Sequence, residues 1–408
     1  MNNYCRFCGN ELKDTFVDLG LSPVSTEYLS TENSKKGEMF YPLHVQVCSQ
    51  CFLVQAEVYS SPEKIFNDYR YLSSNSMMWL NHAKNYVSMI TKKLNLDNNS
   101  QVVEIASNDG YLLQYFNEIG IKNYGVEPAE NCAEIARKKG IDVVCDFFGK
   151  ETAKKLSIER GKADLILGNN VLAHVPDING FVEGISILLK STGSVTMEFP
   201  HLLNLIKYVQ FDTIYHEHFS YLSLFTISQV FEKHGLKIYD VEKLSTHGGS
   251  IRIYAEHVEN NIPVSNNVAS IISEEIEFGI NKIETYSAFE EKVRNIKYKT
   301  MQTLSEIVLS GKKLIAYGAA AKGNTFLNYC GISKEYFPFI VDVTPEKQGL
   351  KLPGTLIDIV SEDEIIKFKP DYIAILPWNW KTEIIQRLEF TRKWGCKFIT
   401  FIPDIEIF

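Results

Sequence analysis

The chain reads as an α/β protein: a small zinc-binding module at the N-terminus, a Rossmann-like domain behind it, and a second Rossmann-like domain at the C-terminus. Three observations predict this. Two Cys-x2-Cys pairs lie within the first 51 residues, short apolar runs alternate with amphipathic stretches from about residue 99, and a strand, glycine turn and helix pattern recurs from Lys313. Alternation of this kind marks mostly parallel sheets covered by helices. The expected divisions are residues 1–65, 66–260 and 261–408.

Composition bounds the function. The 408 residues are 45% hydrophobic and 23% charged, which is ordinary globular protein and not a disordered scaffold. With 42 Lys+Arg against 50 Asp+Glu, the formal charge of -8 gives no positive field for a phosphate polymer or an anionic bilayer. No apolar run approaches the ~20 residues needed to span hydrocarbon. The start, Met-Asn-Asn-Tyr-Cys, lacks the layout of a signal peptide, so the expectation is a cytoplasmic monomer without nucleic-acid or membrane partners.

Cys5 with Cys8, and Cys48 with Cys51, are two knuckles separated by 39 residues. Four thiolates complete a closed tetrahedral zinc shell, which stabilises the fold around it and leaves no open position for catalysis. The long insert, with Phe40, Tyr41, Leu43, Val45 and Val47, is expected to supply strands of a small ribbon. A redox pair is the competing reading, but neither pair stands beside a βαβ pattern. The scattered Cys132, Cys145, Cys330 and Cys396 are expected as buried thiols.

In the first α/β domain the apolar runs are Val102–Ala106, Tyr124–Val126, Val143–Val144, Leu165–Leu167 and Ser194–Glu198, with helical stretches at Leu112–Glu118 and Cys132–Lys138. Ligands of such sheets lie beyond the carboxyl ends of the strands. There stand Glu104, Ala106, Ser107, Asn108, Asp109 and Gly110, then Glu127 with Pro128, an acid suited to a ribose diol. A single Gly110 replaces the three glycines of a dinucleotide fingerprint, so a ligand without a diphosphate fits better.

VVEIASNDG (102–110), GVEP (125–128), CDFF (145–148) and NNVLAHVPD (169–177) resemble class I S-adenosylmethionine-dependent methyltransferases. The four-cysteine start and YHEHFSYLS (215–223) narrow the resemblance to C-methyltransferases acting on nucleotide-linked keto sugars, dTDP-4-keto deoxysugars among them. The resemblance implies that Ala106, Asn108, Asp109 and Gly110 line the amino-acid end of the cofactor and that Glu127 takes the ribose. It further implies that Asp146 with Phe147 meets the adenine, and that Asn169, Asn170 and His174 close the pocket beneath the sulfonium. Helix-cap or turn roles are the alternative for these residues. Acids do suit a ligand carrying a sulfonium and an ammonium. Residues 69–76 resemble the family's segment that folds over the active site, with Tyr71 and Ser74 as candidate substrate contacts.

Three of nine histidines, His201, His216 and His218, fall within 18 residues. A second metal site and unassigned core histidines compete with acid–base work, for which histidine is suited near neutral pH. C-methylation requires a carbon made nucleophilic by loss of a proton next to a ketone. The resemblance assigns Tyr215, Glu217 and His218 to this centre: His218 as base, Glu217 orienting it and Tyr215 donating to the oxyanion. His216 is the rival base. An extended segment would put both histidines on one face, and a turn would separate them. His201 and Tyr221 are further substrate candidates.

Residues 265–310 read as helical, with Ile271, Ile272, Ile276 and Ile280 as the apolar stripe. Beyond them Gly318 to Asn324, with Lys322 adding charge, form a possible anion cradle, and Asp342 ends the next strand. A tight strand–helix crossing is the simpler alternative. In the family this domain faces the methyltransferase domain across a cleft, which implies a nucleotide-sugar between them. His247 and Arg252 resemble its substrate-side loop, and Arg252 either pairs with a diphosphate or stays solvated. The competing functions are an O- or N-methyltransferase on another metabolite and a nicotinamide-dependent oxidoreductase using residues 313–342.

Overall fold

The computed structural model describes residues 4–59, 69 and 72–408. The N-terminal strands are β1 (Asp14–Ser22), β2 (Tyr41–Val47) and β3 (Val54–Ala56), so the insert between the knuckles does supply a ribbon. β1 pairs with β2 and β2 with β3, all antiparallel. Leu43, Val45 and Val47 alternate along β2 and are buried, as are Phe16 and Val17, consecutive where the register of β1 shifts.

Helix α1 (Met77–Lys93) opens the next body. Ser76 caps it by accepting from Trp79 N at 3.2 Å, and Lys92 and Lys93 close it against the helix dipole. There follow β4 (Gln101–Ile105), α2 (Leu113–Glu118), β5 (Lys122–Val126), α3 (Glu130–Lys138), β6 (Val143–Val144), α4 (Lys150–Glu159) and β7 (Ala163–Asn169). Then come α5 (Ile178–Leu188), β8 (Leu189–Pro200), α6 (Leu202–Lys207), β9 (Ser220–Tyr221), α7 (Leu224–Lys233), β10 (Leu236–Leu244) and β11 (Ser250–His257). The seven-stranded sheet has the order β10-β11-β8-β7-β4-β5-β6. β4 pairs in parallel with both β5 and β7, so the strand order reverses beside it and opens the crevice where such folds bind ligands. β9 leaves this body and pairs with β3, completing a four-stranded sheet on the N-terminal module.

The helical stretch resolves into α8 (Asn266–Phe278), α9 (Ile283–Ser287) and α10 (Phe289–Leu309). Ile271 and Ile280 are buried, but Ile276 is exposed, because Glu275 takes the inward position between them. The C-terminal body comprises β12 (Leu314–Tyr317), α11 (Ala321–Cys330), β13 (Phe339–Val341), β14 (Asp358–Val360), α12 (Asp363–Phe368), β15 (Tyr372–Ile375), α13 (Lys381–Arg387), β16 (Lys397–Thr400) and β17 (Glu406–Ile407). Its order is β14-β13-β12-β15-β16-β17, parallel except for the edge strand β17.

The hydrophobic cores do not respect sequence order. Phe16 of β1 stacks on Phe289 of α10 at 4.3 Å, and one apolar cluster runs from β1 and β2 through Leu205 and Phe211 to Phe326 and Ile340. The cysteine end packs instead on α5 and α7 through Phe181, Ile185, Ile227 and Phe231. Of the four scattered cysteines three are buried, whereas Cys145 is exposed just past the end of β6. No helix among the described residues is long and apolar enough to cross a membrane.

Candidate active site

β4 ends at Ile105, and the chain then turns sharply. Ala106 and Asn108 have φ of 56° and 49°. A left-handed alanine persists only when its surroundings hold it, and such strain clusters at ligand sites. Ala106 N donates to Val126 O at 2.8 Å and Asn108 N to Glu127 Oε2 at 2.8 Å. Two glycines are required here: a Cβ on Gly110 would lie 2.9 Å from Ile141, and one on Gly125 would lie 2.1 Å from Ser107 Oγ. The β5 glycine therefore allows Ser107 to turn inward, where it is fully buried.

Glu127 follows β5, buried, with Oε1 accepting from Ala129 N at 2.9 Å. Burial pushes its carboxyl up to about 7, while the two backbone amides pull the other way. Glu104 is fully buried, and burial holds its carboxyl well above the usual range against the pull of Tyr111. Asp109 is fully buried too, with Oδ2 at 3.1 Å from Lys139 Nζ and bonded by the Ser74 hydroxyl. Its Oδ1 has no partner among the described residues. Ser74, which the sequence suggested as a substrate contact, is thus bonded to the loop after β4, and Ser73 N donates to Asn108 Oδ1 at 2.9 Å beside it. Tyr71 lies outside the described residues. Pro128 is half-buried, whereas Asp146 and Phe147 are exposed beyond β6, Asp146 Oδ1 accepting from Phe147 N at 2.8 Å.

At the end of β7, Asn169 Nδ2 meets Tyr111 OH at 3.2 Å and Asn170 Nδ2 meets His247 Nε2 at 2.9 Å. These groups fit S-adenosylmethionine. Asp109 would take its ammonium, Glu127 its ribose, and no diphosphate cradle is asked for.

The turn at Tyr215–His218 carries the second half of the site. His218 N donates to Tyr215 O at 2.9 Å, which puts His216 and Glu217 at the corners and separates the two histidines. His216 faces the N-terminal module, with Nε2 at 3.2 Å from Pro42 O. His218 faces inward, Nδ1 at 2.9 Å from Thr213 O. A carbonyl accepts only, so Nδ1 carries the proton and Nε2 keeps its lone pair. His218 borders a cavity shared with Ala173, Phe199, Gln210, Ser220 and Tyr221. Its ring lies 4.7 Å from that of His174 and 4.0 Å from that of Tyr215. Burial, reinforced by His174, pushes the imidazole well below its usual pKa, so it is neutral at pH 7. Burial likewise brings His174 and His247 down to about 4 and holds Tyr215 well above the usual tyrosine range, hence protonated.

Three expectations are corrected. Glu217 does not orient His218: Thr213 O does, and Glu217 Oε1 instead accepts from Thr26 Oγ1, because the turn directs the acid toward the N-terminal module. His201 is not a substrate contact, since its Nε2 is buried against Glu275 Oε1 at 2.6 Å. The same carboxylate accepts from Leu224 N and Phe225 N, each at 2.7 Å, at the start of α7. Arg252 neither meets a diphosphate nor stays solvated. It is buried in β11, with Nη2 at 2.7 Å from Glu198 Oε2 and Nη1 at 2.7 Å from Glu242 Oε1. Burial opposes ionisation of Glu198, yet His82, Arg252 and Thr246 hold it at about 2. Thr246 Oγ1, 2.8 Å from Glu198 Oε1, anchors the loop that carries His247 at φ 52°.

On the C-terminal side Gly318 has φ 94°, and a Cβ there would lie 2.3 Å from Pro377. The amide after it is not open to an anion: Ala319 N donates to Asp342 Oδ2 at 2.8 Å. Lys322 points toward the middle body, with Nζ 3.3 Å from Asn379 Oδ1 and 4.9 Å over the Trp378 ring. Its charge is felt at Asp212, His218 and His247. Asn324 is fully buried, and neither Oδ1 nor Nδ2 has a partner among the described residues. Tyr221, in β9, is buried with its ring 6.2 Å from that of His218.

The four knuckle thiols meet. The Sγ atoms of Cys5, Cys8, Cys48 and Cys51 all lie within 4.8 Å of one another, with Cys5–Cys51 at 3.6 Å and Cys8–Cys48 at 3.5 Å. Sulfurs bound tetrahedrally at ~2.3 Å from zinc stand about 3.8 Å apart, so the set fits that ion.

Sequence reasoning missed Thr213, Lys139, Glu198, Thr26 and Asp212. Thr213 acts through a backbone carbonyl, which no residue type announces. Asp212 is joined to the C-terminal body by Trp378 Nε1 at 2.7 Å across 166 positions, a pairing invisible in any local motif. Glu198, the last residue of an apolar run, and Lys139, following α3 in the unit that bears Glu127, stood where they could have been suspected.

Three family models match: a putative zinc-binding domain over residues 5–66, a methyltransferase domain over 79–241 and a C-methyltransferase C-terminal domain over 245–403. The chain is 34% identical to the C-methyltransferase NovU of Streptomyces niveus over 400 residues, covering 98% of this chain and 95% of the relative. Among solved structures, the PH0226 protein of Pyrococcus horikoshii OT3 is 15% identical, covers 49% of this chain and 99% of its own, and has a TM-score of 0.39. The magnesium protoporphyrin IX methyltransferase of Synechocystis PCC 6803 with bound SAH is 15% identical, covering 47% of this chain and 90% of its own, with a TM-score of 0.35. With the relative matched from end to end, the chain belongs to the zinc-binding, S-adenosylmethionine-dependent C-methyltransferase family.

Proposed function

We propose that the enzyme methylates the carbon next to the ketone of a nucleotide-linked 4-keto deoxysugar, of the dTDP type, through an enolate formed by His218. The observation that carries this reading is the state of His218: neutral, its Nδ1 proton held by Thr213 O, its Nε2 lone pair left over where the residue borders a small cavity. An O- or N-methyl transfer needs no base that enolises carbon, and the match to a C-methyltransferase favours the carbon acid. S-adenosylmethionine, when bound, supplies an electrophilic methyl on sulfur. His218 Nε2 takes the α proton, Tyr215 donates to the developing oxyanion, and His174 closes the pocket beside them, excluding water. Positive charge from Lys322 favours the enolate and would also favour the nucleotide's phosphates. Asp109 and Glu127 hold the cofactor's polar ends.

In this reading residues 1–65 carry the zinc, 66–260 the cofactor and 261–408 the nucleotide side of the substrate, with His247 and Tyr221 lining the approach. The test is incubation with S-adenosylmethionine and a panel of dTDP-4-keto deoxysugars, followed by mass spectrometry and carbon NMR of the product. A new carbon-bound methyl beside the ketone is expected. Transfer to oxygen or nitrogen, or calorimetric binding of NAD without S-adenosylmethionine, overturns the proposal.

A further inference from the structure

The cysteine module holds more than its own fold. β3 starts three residues after Cys51, and its partner β9 starts two residues after His218. The pairing is Val54 with Tyr221 and Gln55 with Ser220, extended by Ala56 N to Phe219 O at 3.1 Å. Arg6, next to Cys5, donates through Nε to Gln55 Oε1 at 3.2 Å and through Nη2 to Ala56 O, with its guanidinium 5.9 Å from the Phe219 ring. Thr226 Oγ1 donates to Cys51 O at 3.1 Å just beyond β9.

The module grips the turn on a second side as well. Both corner residues bond to it, His216 to Pro42 O at the start of β2 and Glu217 to Thr26. Thr26 lies in the loop between β1 and β2. Two residues on, Tyr28 OH donates to Ala319 O at 2.7 Å, at the glycine turn of the C-terminal body, and Ser25 beside it is fully buried. One loop of the module thus touches both the turn carrying His218 and the turn preceding Lys322. Glu217 Oε2 has no partner among the described residues, so Thr26 is what fixes this carboxylate.

We propose that the zinc module is the scaffold that sets the Tyr215–His218 turn, and that Thr26 is a positioning residue acting on the reaction through Glu217. The inference rests on the reading of His218 as the base. A two-residue strand such as β9 has too little pairing of its own to persist, so it depends on β3 being held. β3 is held by the knuckle that precedes it, where the metal closes the tetrahedral shell.

The test compares wild type with Thr26→Val and Thr26→Ser. Valine keeps the shape and removes the donor, and serine restores the donor. Thr26→Val should lower kcat about tenfold, as for loss of one hydrogen bond to a carboxylate, with S-adenosylmethionine affinity unchanged. Thr26→Ser should recover most of the rate. Full activity in Thr26→Val, or no recovery in Thr26→Ser, overturns the positioning role. Amide hydrogen exchange on the chelator-treated protein reads the scaffold without turnover. Ser220 and Tyr221 should lose protection while β4 and β7 keep it and S-adenosylmethionine still binds. Unchanged protection at Ser220 and Tyr221 overturns the scaffold, and if chelation unfolds the whole chain the Thr26 pair decides. A wild type inactive on every keto sugar sinks the function itself, whereas an active wild type with an equally active Thr26→Val sinks this inference alone.

Discussion

Replacement of His218 is the perturbation that tests the chemistry most directly. The imidazole uses Nδ1 to donate to Thr213 O and retains Nε2 for the substrate. Asparagine places an amide nitrogen near the Nδ1 position, so His218→Asn keeps the contact to Thr213 and deletes only the base. His218→Gln places its amide nearer Nε2, which fills the space without providing basicity. Loss of a general base costs ~10²–10⁴-fold, or about 2.7 to 5.4 kcal/mol of barrier at 1.36 kcal/mol per tenfold. The pH profile adds a second constraint. A histidine at the ordinary pKa of ~6.5 would be about a quarter protonated at pH 7. Burial moves His218 well below that value, so its activity is present above 6.5, persists through it and is lost only lower on the acid side. The assay is turnover by both variants, with cofactor and substrate affinities measured separately. It is paired with deuterium uptake at the carbon next to the ketone when S-adenosylhomocysteine replaces the cofactor. Both variants should bind normally, turn over slowly and exchange slowly. Near-normal turnover, or undiminished exchange, would refute the reasoning and return the proton to Tyr215 or to a route outside this cluster.

Three further outcomes are expected. Glu127 is raised to about 7, so S-adenosylmethionine affinity that depends on its carboxylate should be full above that pH and weaken as pH falls through it. In Glu127→Gln the affinity should be weaker and flat with pH, and a wild-type isotherm that ignores pH would contradict this. Purified protein should hold one zinc per chain by elemental analysis, and the Cys48→Ser/Cys51→Ser double variant should hold none, since the four thiols form one closed set. Arg252→Met should lower stability by about 3 kcal/mol, read as a fall in the urea midpoint, because it strands Glu198 in the sheet. An unchanged midpoint would show that His82 and Thr246 satisfy that carboxylate unaided.

What the sequence determined by itself follows from local chemistry. Periodicity located β4 to β8 and the β12–α11 unit, because strand and helix patterns are written in neighbouring side chains. The cysteine spacing announced the metal module, and the small residues and acids after β4 and β5 marked the strand ends, where such sheets meet their ligands. Tertiary structure alone decided the rest. His201, His216 and His218 are alike in sequence, yet one is committed to Glu275, one to Pro42 O and one to the cavity. Arg252 looked free until β8 and β10 flanked it with Glu198 and Glu242. The partners that made these choices lie 74, 174, 54 and 10 positions away, or are backbone carbonyls. Burial then favoured the neutral ring at His216 and His218, because a desolvated imidazole loses its proton.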